Sequence, residues 1–159
     1  MATTIGAATL TVTITEALTM THATSADNRT HSQTITKTFG TIDQLEKRVL
    51  NLPNTNQVKI LDLGTTAASA PGTFLRSAVE YIRITNLDDT NGVAVILEDT
   101  GGDTAAVLVD ADSTLMLTDT QVEAFTDGSA FSAWSDIHHL FLKAASANVQ
   151  VELVIATTE

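Results

Sequence analysis

From Thr9 to Thr15 the chain alternates strictly, with apolar Leu10, Val12 and Ile14 set between Thr9, Thr11, Thr13 and Thr15. A repeat of two is the side-chain period of a β-strand, so this segment is predicted to be a strand with one face buried and the other wet. Thr24-Ser25-Ala26-Asp27-Asn28 is a cluster of small polar turn residues, and Ser32 to Phe39 resumes the alternation through Ile35 and Lys37. The two segments are expected to pair as a long hairpin. Between Ile42 and Leu52 the pattern is ambiguous. Ile42, Leu45, Val49 and Leu52 fall near helical spacing, whereas Val49-Leu50-Asn51-Leu52 reads as a strand stopped by Pro53. A strand is favoured, with one short helix as the alternative.

Downstream, β-rich apolar runs recur at nearly even intervals: Val58 to Leu63, Val79 to Thr85, Val93 to Leu97, Ala105 to Val109, Thr114 to Leu117, Leu140 to Lys143 and Val149 to Ile155. Asn86 to Gly92 and Glu98 to Asp103 lie between them and are rich in Asn, Asp and Gly, which supply the positive φ angles of tight connections. The second is expected to close a β-hairpin. Thr118 to Trp134 is the irregular part: Asp119 to Phe125 fits one helical turn, and Asp127-Gly128-Ser129 opens a loop carrying Phe131 and Trp134. No fixed-period repeat is visible. The expected fold is therefore all-β, a jelly-roll-like or Greek-key sandwich of about eight to nine strands with at most one short helix. Residues 1–159 read as one domain, in which 1–40 form an extended N-terminal arm or hairpin used in assembly.

Composition supports this reading. Thr occurs 28 times in 159 residues and Pro only twice, and Thr is β-branched and suited to a half-buried pleated surface. A chain of this length buries one core without staples. Cysteine is absent, which removes disulfides, thiolate metal sites and cysteine nucleophiles together. The net charge is −11, and the eight Lys and Arg are dispersed except for Lys47-Arg48. No basic stripe exists to neutralise phosphates or to meet an anionic membrane, so neither direct nucleic-acid binding nor membrane attachment is expected. No stretch approaches the length of a membrane span, and the first residues lack a signal-peptide pattern, so the chain is expected to be soluble and made in a cytoplasm.

The search for chemistry returns little. His22, His31, His138 and His139 make no zinc-binding spacing, and adjacent strand residues point to opposite faces, so His138-His139 is not expected to chelate one ion within one chain. Symmetry in an oligomer remains the other route to a histidine cluster. Asp88-Asp89, Asp99, Asp103 and Asp110-Ala111-Asp112 offer carboxylates of the kind that hold calcium, but no EF-hand loop is present and solvated turns are the simpler account. There is no Gly-x-Ser-x-Gly elbow and no Gly-rich loop leading into a helix. One Trp and one Tyr leave few aromatic platforms for a sugar. No catalytic residue, metal ligand or cofactor is expected, and Trp134 is weighed both as an interface anchor and as a core residue under a loop.

Three segments carry a resemblance: Ala2 to Glu16 at the start, Tyr81-Ile82-Arg83-Ile84-Thr85-Asn86-Leu87-Asp88 in the centre, and Val149-Gln150-Val151-Glu152-Leu153-Val154-Ile155-Ala156 at the end. Together the chain resembles small virion structural proteins of marine tailed bacteriophages. That resemblance implies a β-rich, non-enzymatic protein without cofactor, acting as capsid decoration or cement, or as a tail, neck or fibre subunit. It implies homo-oligomers, trimers above all, that contact the major capsid protein or other virion proteins, and a place in the virion after assembly in the host cytoplasm. A carbohydrate-binding β-sandwich for host recognition is the rival class.

Within this reading the contact surface is assigned to Leu10, Val12 and Ile14, with Phe131 and Trp134 as further interface candidates. Ala2 to Met20 holds a single charged residue, Glu16, and a long neutral edge strand invites pairing with another chain. An ordinary internal hairpin is the alternative.

Overall fold

The computed structural model describes residues 8–20, 29–64, 72–118, 134 and 136–158. These fall into two compact units, residues 1–42 and residues 43–159. Of the first unit the described part is a two-stranded antiparallel sheet, β1 (Ala8–Met20) and β2 (Arg29–Ile42). The register runs from Leu10↔Phe39 to Met20↔Arg29, with a bulge near the Ala8 end. This is the hairpin that the two alternating segments predicted. Its turn, the cluster from Thr24 to Asn28, lies outside the described residues.

Among its described residues the second unit carries nine strands: β3 (Gln44–Leu52), β4 (Val58–Gly64), β5 (Thr73–Leu75), β6 (Val79–Asn86), β7 (Val93–Asp99), β8 (Thr104–Val109), β9 (Thr114–Thr118), β10 (Ile137–Ala144) and β11 (Val149–Thr157). Arg76–Ala78 make one 3-10 turn. The ambiguous Ile42–Leu52 stretch is a strand, and the seven downstream runs each mark one. Only three-residue β5 went unseen in the pattern, being too short to show a period.

The strands form two sheets, β5-β4-β10-β7-β8 and β3-β11-β6-β9. All neighbours are antiparallel except β4 and β5. Without β5, the order is that of an eight-stranded jelly roll. The chain steps between sheets at β3–β4, β5–β6, β6–β7, β8–β9, β9–β10 and β10–β11, and the last two strands insert in the sheet interiors beside the first two. The fold is an all-β sandwich.

The core follows from the period of two. Val79, Tyr81, Ile82 and Ile84 of β6, Val93, Val95 and Leu97 of β7, Leu140 and Leu142 of β10, and Val151, Leu153 and Ile155 of β11 are buried, and most of them join one cluster drawn from both sheets. Asn86, at the end of β6, is buried as well. Its amide donates to the carbonyls of Asn91 and Asp110 at 2.8 and 3.0 Å, and its oxygen accepts from the Asp88 N–H at 3.1 Å. One side chain thus satisfies the backbone where the chain leaves one sheet for the other.

Candidate functional site

The hairpin has two unlike faces. Directly opposed residues share a face, so Thr11 with Thr38, Thr13 with Thr36, Thr15 with Thr34, Ala17 with Ser32 and Thr19 with Thr30 make one continuous hydroxyl-rich surface. The Thr15 and Thr34 hydroxyls lie 3.4 Å apart across it. The other face pairs Leu10 with Phe39, Val12 with Lys37, Ile14 with Ile35 and Leu18 with His31, and the Lys37 ammonium sits 4.7 Å over the Phe39 ring.

The sequence expectation that this second face is buried holds only in part. Leu10 and Val12 are half-buried, but Ile14, Leu18, Met20 and Ile35 are exposed, at 38%, 57%, 48% and 51%. Alternation makes a strand two-faced; a covering layer is a separate requirement. Within the described residues of the unit, two strands are paired only with each other, leaving each with one open edge.

The remaining interface candidates resolve differently. Trp134 is fully buried and belongs to the core: its indole N–H donates to the Val79 carbonyl at 2.7 Å. The core alternative is the one the structure adopts, because Trp is the largest apolar side chain and its single donor finds a strand-end carbonyl. Phe131 lies outside the described residues, as does the helical turn considered for Asp119–Phe125.

A second apolar exposure, not singled out in the sequence, lies on β8. This uncharged edge strand of the five-stranded sheet exposes Val107 and Leu108. The acidic turns do turn chemistry. Asp88 Oδ1 accepts from the backbone N–H groups of Thr90 and Asn91, and Asp99 Oδ1 accepts from those of Gly101 and Asp103. These donors hold the Asp88 carboxyl below its ordinary value, the Asn91 N–H foremost.

One correction concerns the paired histidines. A register shift between Ile137 and His139, where β10 meets β7, turns His138 to the same side as its neighbour, and the two imidazoles stack with centroids 4.0 Å apart. A β-bulge abolishes strict alternation locally, which is why the opposite-faces expectation fails here. Asp62 of β4 stands opposite His139, and Glu98 of β7 flanks it on the other side. The His138 and His139 Nε2 atoms lie 3.7 and 3.6 Å from the Asp62 oxygens, and His139 Nδ1 lies 2.7 Å from Glu98 Oε1. Lys59 Nζ donates to Asp62 Oδ2 at 3.0 Å. Burial works to raise the Asp62 carboxyl, but Lys59 and then the two imidazoles outweigh it and leave it below its ordinary value.

An open cleft of about 300 Å3 runs between β3 and β4, lined by Arg48, Leu50, Asn51, Ile60 and Gly72 among others. Its guanidinium is already committed: Arg48 pairs with Glu46 at 2.5 Å and donates to the Ile60 carbonyl at 3.3 Å. No known family's sequence pattern matches the chain, and no curated protein matches it in sequence.

Proposed function

We propose that this chain is a non-enzymatic structural subunit of a virus particle, a capsid decoration or cement protein, whose hairpin β1–β2 pairs with a second copy of the chain. The observation that carries the reading is the hairpin itself: 13- and 14-residue strands that, among the described residues, pair only with each other, with exposed Ile14, Leu18, Met20 and Ile35. A two-stranded ribbon is marginal in water, and its free edges are satisfied by adding strands.

Charge selects a second copy as the occupant. Residues 1–42 hold two acids and two bases, whereas residues 43–159 hold 17 acids against six bases and so carry the whole −11. Sandwiches of equal charge repel one another, and the neutral hairpin is the surface on which identical copies meet at least electrostatic cost. Contact multiplied over many copies is how a cement protein stabilises a shell, and a closed trimer at a local symmetry axis suits it.

Sedimentation velocity of the full chain and of Val12→Asp tests the hairpin. A trimer that dissociates on substitution, with the far-UV spectrum retained, is the expected result. A monomer at every concentration, or a Val12→Asp oligomer as tight as the parent, would sink it. Counting copies in purified particles tests the decoration assignment separately: hundreds per particle fit a shell protein, and a few dozen assign it to tail or neck instead. Binding in a glycan array would favour the host-recognition class.

A further inference from the structure

The geometry points to a divalent-metal site on the outer face of the five-stranded sheet, with His138, His139 and Asp62 as ligands and Glu98 as the residue that sets the His139 tautomer. Three observations converge. One ligand atom from each of the three side chains can be chosen so that all lie within 4.8 Å of one another, although the residues come from two strands. Both Nε2 atoms approach a single carboxylate, at 3.7 and 3.6 Å. Ligand atoms around a tetrahedral ion with bonds of about 2.0–2.1 Å are roughly 3.3 Å apart, so a set whose atoms lie within 4.8 Å of one another closes on an ion by side-chain shifts of up to about 1.5 Å.

The third observation is the Glu98 contact. A carboxylate only accepts, so the His139 ring carries its proton on Nδ1 toward Glu98, 2.7 Å away. In the neutral ring the lone pair is then on Nε2, the atom turned toward Asp62. Carboxylate, then imidazole, then metal is the order in which ligating histidines are commonly held and made more basic. The ligand set also selects the ion. Two imidazole nitrogens and one carboxylate suit zinc, cobalt or nickel, whereas calcium and magnesium require a shell of oxygens. All four side chains are partly exposed, so an ion can enter from solvent and complete its shell with water. Lys59, hydrogen-bonded to Asp62, opposes a second cation and sets the affinity lower than three ligands alone would give.

Calorimetric titration of the chelator-treated full chain with Zn2+ is the test, run beside Ca2+. One Zn2+ per chain is expected, lost in His138→Asn and His139→Asn, weakened about 10- to 100-fold in Glu98→Gln, and tightened several-fold in Lys59→Met. Calcium gives no comparable heat. Ring-nitrogen NMR on the unsubstituted chain keeps the inference testable should any variant misfold: Zn2+ is expected to move the Nε2 signals of His138 and His139. No Zn2+ heat, or ring shifts confined to His22 and His31, would overturn it.

Discussion

At the scale of single residues, the strongest local constraints are buried polar groups with one partner each. Trp134 has its ring in the core and its N–H on the Val79 carbonyl. Trp134→Phe removes that donor, strands a buried acceptor and opens a void. The expected destabilisation is about 3 kcal/mol, from the orphaned acceptor and the lost volume together. Urea denaturation followed by far-UV circular dichroism measures it, since the chain has no other Trp to report by fluorescence. Sequence offered two readings of this residue and leaned to the core one, while its actual burial is decided by what packs over a loop. For His138 and His139 the sequence rule itself misled. The period of two is a property of regular strand, and nothing in Ser135-Asp136-Ile137 announces that β10 will slip its register beside Glu98.

Elements were more legible. Wherever apolar residues alternate over five or more positions the structure has a strand, and the Asp99–Asp103 turn joins β7 to β8 as a hairpin. The value of a residue nonetheless depends on which face of the sheet it occupies as well as on its strand. Leu153 on β11 has neighbouring strands on both sides and is buried, whereas Leu45 on the adjacent edge strand β3 is 58% exposed. Leu153→Ala is therefore expected to cost about 2–5 kcal/mol, and Leu45→Ala under roughly 0.5 kcal/mol. Equal losses in equilibrium unfolding would show that the two sites are alike in burial. From sequence both are leucines in β-rich runs; the face each presents separates them, since Leu52, on the same edge strand as Leu45, is 1% exposed.

Charge acts over the whole molecule. On the four-stranded sheet Glu152 takes Lys47 at 2.7 Å and also Arg83. The Lys47 hydrogen bond, with Arg83 assisting and burial opposing, holds the Glu152 carboxyl below its ordinary 4.5. A depressed folded-state value means that the cluster's contribution is present above pH 4.5 and is lost as pH falls through the lower folded value. Glu152→Gln is thus expected to flatten the stability profile in that acid window and to cost at most about 1 kcal/mol at neutral pH, the group being near solvent. Melting curves from pH 3 to 7 would check it. On the proposed self-association through the neutral hairpin, the −11 charge predicts tighter association when salt screens the sandwiches. Sedimentation at about 0.05 M and 0.5 M NaCl tests this, and weaker association at high salt would count against a neutral contact.

What the sequence by itself determined is local: strands, turns and the all-β class, because alternation and turn residues act over two to six positions. It also determined the neutral N-terminal stretch and the acidic remainder. Only the tertiary structure decided that the alternating face of β1 is half-buried at Leu10 and Val12 and exposed from Ile14 onward, that Trp134 lies inside, and that Asp62, Glu98 and two histidines share one patch. Those outcomes depend on strand order and on bulges, which are settled by contacts between residues tens of positions apart, and no periodicity along the chain encodes them.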